Sequence, residues 1–270
     1  MEIHHYTSIE NLALILKNKT IRFTRLDKVD DSEEAGLSCK NIQLSYYTFV
    51  SCWTDSEEES IPLWKMYAGK EMHGIRISLD SDMFLKYHIP SGRFYGVDVY
   101  SKNEKSSILP IEKIVTKDYL VVPSFNDSEM FFKKVLYVDN PFSEMRDVVQ
   151  IQDMGNGEGA MNLKKIGLYK RKCWAFQKEH RFTLTILPNI WGDIDINQMP
   201  KRIMQAVYDR IPPKLSFFDL EINPELLSKM KITLSPICSE AEKVIVESIV
   251  QKFAPKAIIR ESMLKGLINR

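Results

Sequence analysis

The sequence predicts a single α+β domain, and three observations carry that prediction. Strand-like and short helical runs follow one another along the whole chain. They do not alternate as the β-α-β units of a doubly wound parallel sheet do. No internal repeat, low-complexity tract or linker-like stretch divides residues 1–270. The composition, 44% hydrophobic and 27% charged, is that of an ordinary globular chain long enough to bury a sizeable core.

The same composition narrows the function classes. A formal net charge of +1 gives no strong long-range attraction to nucleic acid or an anionic membrane. No apolar run reaches the ~18 residues of a membrane-spanning helix. The opening MEIHHYTS has neither a basic stretch nor an apolar one, so no signal peptide is expected. Cys39, Cys52, Cys173 and Cys238 form no CxxC pair, which argues against zinc and a disulfide framework and fits a reduced, cytoplasmic protein.

Taken in order, residues 3–6 read as a first strand. Thr7 with Glu10 three positions on reads as a capping box. Ile9, Leu12, Ala13 and Leu16 then share one helical face. Residues 21–23 form a second short strand, and 26–40 are an acidic loop. The run QLSYYTFVSCW, 43–53, is β-branched and aromatic and predicts a buried strand. Residues 61–68 predict a short helix with Pro62 in its first turn, followed by a strand over 73–79. Further strands are expected at 93–100, 118–123 and 133–138. Residues 139–160, with Pro141, Gly155, Gly157 and Gly159, read as a mobile loop. From 161 the pattern predicts a helix to about 176 and a strand from Glu179. A helix over 196–211, a strand over 231–235, a helix over 239–253 capped by Ser239 and Glu242, and a last short strand at 258–259 complete the chain.

Three constellations carry chemistry. The first is His5-Tyr6-Thr7 on the opening strand. Neighbours on a strand point to opposite faces, so His5 and Tyr6 share one pocket only where the strand ends. His5 there can donate to a ligand; the ordinary alternative is a satisfied structural histidine. The second is LWKMYAGKEMHGIRISL, 63–79. Trp64 and Tyr67 are three apart on one helical face, and an aromatic beside a pocket is a stacking platform. Trp64 fits the core better than Tyr67, which ends the helix. The third is CWAFQKEHRFTL, 173–184. Glu179 and Arg181 share a strand face, and a carboxylate on that apolar strand needs a partner or a function. Arg181 is the obvious partner. The basic run KKIGLYKRK, 164–172, reads as a solvated helix face or a phosphate contact. Asp30, Asp31, Glu33 and Glu34, with Lys178, supply the residue types of a metal-dependent nuclease without matching a specific spacing.

In this order the stretches HYTSIENLALIL (5–16), DDSEE (30–34), LWKMYA (63–68), HGIRISL (73–79), WAFQKEHR (174–181) and KITLSPICSEAE (231–242) resemble an uncharacterised bacterial family, domain of unknown function 2971. The resemblance spans nearly the whole chain. Asp30 and Ser32 depart from its usual Asn and Pro, and Gln177 stands in place of its first Glu. The opening is also remotely similar to that of DNA-targeting ADP-ribosyltransferase toxins and RNA 2′-phosphotransferases.

That second likeness implies two split, curved antiparallel sheets gripping NAD as substrate. It implies a transferase or glycohydrolase of the toxin or anti-phage type, acting on a nucleic-acid or protein acceptor. Cleaving the nicotinamide–ribose bond passes through an oxocarbenium-like state that a carboxylate stabilises. Glu179 takes that role by resemblance. His5 with Thr7 would hold the ribose, and Tyr67, beside Trp64, would stack on the nicotinamide. Arg22 or Arg25 would meet the pyrophosphate, and Arg181 would orient Glu179. The same cleft without turnover would make a nucleotide-sensing or protein-interaction module.

Overall fold

The computed structural model describes residues 1–89, 92–94, 97–99, 106–153, 158–189 and 199–268. The chain opens as the sequence predicts, with a strand, a short helix and a second strand. β1 (Glu2–Ser8) runs into α1 (Ile9–Asn18), which buries Leu12 and Leu16. The cap is one residue later than expected: Ser8 accepts from the Asn11 amide at 3.2 Å, while Thr7 accepts from the Asn11 side chain. Lys19 ends the helix in the left-handed region (φ 57°) and turns the chain into β2 (Thr20–Arg25). Within the acidic segment, Asp31 caps a single helical turn, α2 (Ser32–Ala35). β3 (Thr48–Thr54), α3 (Ile61–Tyr67) and β4 (Gly74–Asp80) follow. Ser60 caps α3, and Pro62 sits in its first turn.

Ten strands form one mixed sheet. Its continuous path runs Phe132–Lys134, Glu179–Pro188, β3, β1, β4, Lys231–Leu234, Ile258–Arg260. Every pair is antiparallel except Lys231–Leu234 with Ile258–Arg260. The strand Glu179–Pro188 is buried along its whole length, as a strand covered on both faces must be. One core packs Ile3, Ile75, Ile77 and Phe182 against Leu12, Leu16 and Val246, the last from the helix Glu240–Phe253. A second core lies around Leu26, Tyr47, Val148 and Val207. A third, smaller one holds Tyr6, Leu63 and Trp64.

The sheet forks at β3. β1 pairs with β4 through seven residues but meets β3 only at His4↔Thr54. β2 meets the other end of the same edge, at Thr24↔Val50 and Arg25↔Phe49. Residues 51–53 of β3 therefore face an opening between β1 and β2. β2 continues the sheet on its far side through Phe217–Glu221.

Three expectations are corrected. There is no helix over 161–176: Gly167 turns the chain at φ +70°, and Tyr169–Arg171 pairs in parallel with Leu136–Val138. The segment 139–160 is not a featureless loop. Asn140 caps a helical turn at Pro141–Glu144, and Val149–Asp153 pairs with Glu158–Met161, with 154–157 outside the described residues. The 93–100 run divides into two short paired strands, Gly92–Phe94 and Val97–Val99, with 95, 96 and 100 outside the described residues. The predicted helix over 196–211 is Met199–Tyr208, with 196–198 outside the described residues. No described helix is long and apolar enough to cross a membrane. All four cysteines are unpaired.

Two tests follow from this packing. Gly74 opens β4 opposite Ser8, and a Cβ there would collide with the carbonyl oxygens of Ala68 and Thr7. Gly74→Ala is expected to lower unfolding free energy by ~3 kcal/mol or more, read by urea titration, because neither backbone can retreat. Lys133 is buried, and its ammonium donates to the carbonyls of Leu163 and Ile166. Burial, then Arg181, lowers its pKa from 10.5 to about 7. The unfolded chain thus holds more protons in that interval, so stability rises with pH through it. Lys133→Met is expected to flatten the rise between about pH 7 and 10.5.

Candidate functional site

The fork opens into a cavity of about 550 Å³, within the size range of small-molecule sites. One wall is β1 and α1, the opposite wall β2 and the following loop, and the floor is β3 with Lys170, Gln177 and Glu179. α3 lies over one end through Leu63, Met66 and Tyr67. His5, Thr7, Tyr67, Glu179 and Arg22, five of the residues singled out in the sequence, line this one space.

His5 compensates for the fork. Its Nδ1 lies 2.7 Å from the Cys52 carbonyl on the edge of β3 that β1 has left. A carbonyl only accepts, so Nδ1 carries the proton. Burial lowers the His5 pKa, against the Cys52 carbonyl, and the ring is neutral. Nε2 is then an acceptor, the reverse of the donor role expected from the sequence. The ring also packs 5.2 Å from Trp53.

Glu179 enters the floor because of the turn before it. The 3-10 turn Lys172–Gln177 ends at Lys178 in the left-handed region (φ 43°), which sends Gln177 and Glu179 inward and leaves Lys178 exposed. Arg181 follows on the same face, and its Nε donates to Glu179 Oε1 at 2.8 Å. Lys170 donates to Glu179 Oε2 and to Gln177 Oε1, both at 2.9 Å. Arg181 also grips both oxygens of Glu34. Burial raises the Glu179 pKa, but Arg181 and Lys170 outweigh it and bring it from 4.5 to about 2. Glu179 is a carboxylate at any physiological pH. Burial opposes the charge on Lys170 and Arg181 too, but Glu179 and Glu34 outweigh it and hold both pKa values above their usual ones.

A hydrogen-bond chain leads outward from this cluster. Gln177 Nε2 donates to the Tyr67 hydroxyl at 2.8 Å, and that hydroxyl donates to Asp30 Oδ2 at 2.9 Å. Burial, then Asp30, pushes the Tyr67 pKa up, so the phenol stays protonated. Tyr67 thus spans the cavity end from α3 to the loop before α2.

The other expected site residues fall as follows. Arg25 does not line the cavity: it is buried, forks onto Asp27 and donates to the carbonyls of Pro213 and Leu215. Trp64 is fully buried in the small third core, with its indole N–H on Glu59, and does not reach the cavity. Arg22 lines the cavity with its guanidinium forked onto Asp219. Arg181 lies behind Glu179, outside the cavity lining, and orients the carboxylate as expected.

The acidic segment is engaged rather than clustered for a metal. Asp31 caps α2, Glu33 forks onto Arg171 and Glu34 onto Arg181. Among the described residues no three His, Cys, Asp or Glu side chains are grouped to hold a metal ion.

Lys170 is the floor residue that the sequence reading missed. It sat in KKIGLYKRK, among lysines such as Lys164 that do pair on the surface. Only the inward side of the strand Tyr169–Arg171, which Lys170 occupies, separates it from them. In comparisons with known proteins, no family model, no curated protein and no solved structure matches the chain.

Removing one member of the buried cluster leaves an uncompensated charge. Lys170→Met is expected to cost ~3–5 kcal/mol in chemical denaturation. The Glu179 carboxylate stabilises the fold fully above its unfolded pKa of 4.5, and that contribution is lost as pH falls toward about 2. The acid-unfolding profile is expected to reflect that loss in the wild type and not in Glu179→Gln.

Proposed function

We propose that the cavity binds NAD and that the protein breaks the nicotinamide–ribose bond, as an ADP-ribosyltransferase or NAD glycohydrolase. The observation that carries this reading is the meeting of His5, Tyr67 and Glu179, from three separate elements, on one cavity at the fork of the sheet. Further support comes from the charge there. The lining side chains include Arg22, Lys28 and Lys170 against Asp30, Glu34, Glu179 and Asp219, a net negative set. Such a lining favours a transition state that becomes cationic at the ribose. Glu179, always ionised, supplies the buried negative charge. His5 Nε2 accepts from a ribose hydroxyl, and Tyr67 offers its ring to the nicotinamide beside Leu63 and Met66. Arg22, turning from Asp219, and Lys28 are the cations within reach of a pyrophosphate. The remote likeness of the opening to that of ADP-ribosyltransferase toxins points the same way.

A second reading is a nucleotide-sensing module without turnover. It is favoured by the engagement of both Glu179 oxygens with Arg181 and Lys170. One experiment separates the two. Purified protein and Glu179→Gln are incubated with NAD, nicotinamide release is followed by chromatography, and NAD binding is measured by calorimetry. Release by the wild type that falls ~10²–10³-fold in the variant, with binding retained, is the expected result. Binding without release by either protein selects the sensing module. Absence of binding overturns both readings.

A further inference from the structure

Four carboxylates line the cavity, and their surroundings divide them. Glu179 meets Arg181 on one oxygen and Lys170 on the other. Glu34 is forked by Arg181 and approached by Lys170 at 3.4 Å. Asp219 is forked by Arg22. A carboxylate with cations on both oxygens is a poor place to put a proton, and Glu179 shows this in its pKa of about 2. Asp30 differs from all three. It is exposed at the cavity rim, and among the described residues only its Oδ2 has a partner, the Tyr67 hydroxyl.

We propose that Asp30 is the general base of this site, accepting through Oδ1 the proton of the attacking water or acceptor hydroxyl. The assignment rests on the NAD reading above. It divides the work between two carboxylates in unlike settings: Glu179 stabilises the developing cation and Asp30 takes the proton. The attacking oxygen forms a bond to C1′ of the ribose as the C1′–N bond breaks. The electron pair of that bond returns to the ring nitrogen and neutralises the pyridinium as nicotinamide leaves. The proton of the attacking oxygen passes to Asp30 Oδ1, and from the exposed rim to solvent. The Tyr67 hydroxyl, itself held by Gln177, fixes the carboxylate through its other oxygen. Tyr67 is therefore both ring platform and positioning residue for Asp30.

Chemical rescue of Asp30→Asn tests this, because azide is an anionic nucleophile with no proton to remove. Nicotinamide release and NAD binding are measured for the wild type, Asp30→Asn and Glu179→Gln, each with and without sodium azide, and products are weighed by mass spectrometry. Asp30→Asn is expected to bind NAD as the wild type does, to release nicotinamide ~10²-fold more slowly or worse, and to regain at least ~10-fold with azide. The rescued product is the ADP-ribosyl azide, and Glu179→Gln is not rescued. Wild-type turnover in Asp30→Asn overturns the assignment and leaves the NAD reading standing. Lost turnover that azide does not restore also overturns it, and reduces Asp30 to an anchor for Tyr67. Absence of nicotinamide release by the wild type, alone or with cell lysate as a source of acceptors, removes the NAD reading and this assignment together.

Discussion

The buried ion cluster of Glu34, Arg181, Glu179 and Lys170 holds the floor of the cavity together. Each of the four is almost fully withdrawn from water. Moving an ion out of water costs several kcal/mol, which only close, well-aligned opposite charges offset. Two cations and two anions meet that condition here, and their side chains come from three segments: α2, the strand Tyr169–Arg171 and the long strand Glu179–Pro188. Through Gln177 and Tyr67 the same network reaches α3 and the loop before α2. The cluster therefore fixes where the floor, the lid-like helix and the acidic rim stand relative to one another.

The cavity exists because β3 is shared between two partners that diverge. β1 follows β4 through its whole length, while β2 follows Phe217–Glu221. Twisted strands pulled toward different neighbours separate, and the edge of β3 between them loses its ladder. A buried carbonyl without a donor is costly, and His5 supplies the donor at Cys52. The histidine is thus explained twice. It repairs the backbone where the sheet opens, and its remaining nitrogen is an acceptor at the mouth of the opening. A structural histidine and a ligand-binding histidine are not alternatives at this position.

The cavity carboxylates stand in unlike settings. Glu179, with Arg181 on one oxygen and Lys170 on the other, stays charged and contributes a fixed field. Asp30 at the rim has one oxygen bonded to the Tyr67 phenol and the other without a partner among the described residues. Leu14, Ile15, Ile21, Leu63 and Met66 give the cavity an apolar side beside these charges.

Much of the local structure was legible in the sequence. The apolar spacing of 9–16 gave α1, and the β-branched run gave most of β3. Ser239 and Glu242 form the capping box that opens the last helix. The pairing of Glu179 with Arg181 was legible too, because two residues apart on a strand share a face. Local signals failed where one residue of unusual backbone geometry decides the path. Gly167 breaks a region whose pattern suits a helix. They failed again for charge: Arg25 and Lys170 look like exposed cations, and Asp30, Glu33 and Glu34 look alike. By itself the sequence determined the elements and the candidate set, since periodicity and capping act within a few residues. Only the tertiary structure decided which charges are buried and which carboxylate stays open. Those choices depend on partners such as Arg181 and Glu34, 147 residues apart, which only the packing of α2 against the sheet brings together.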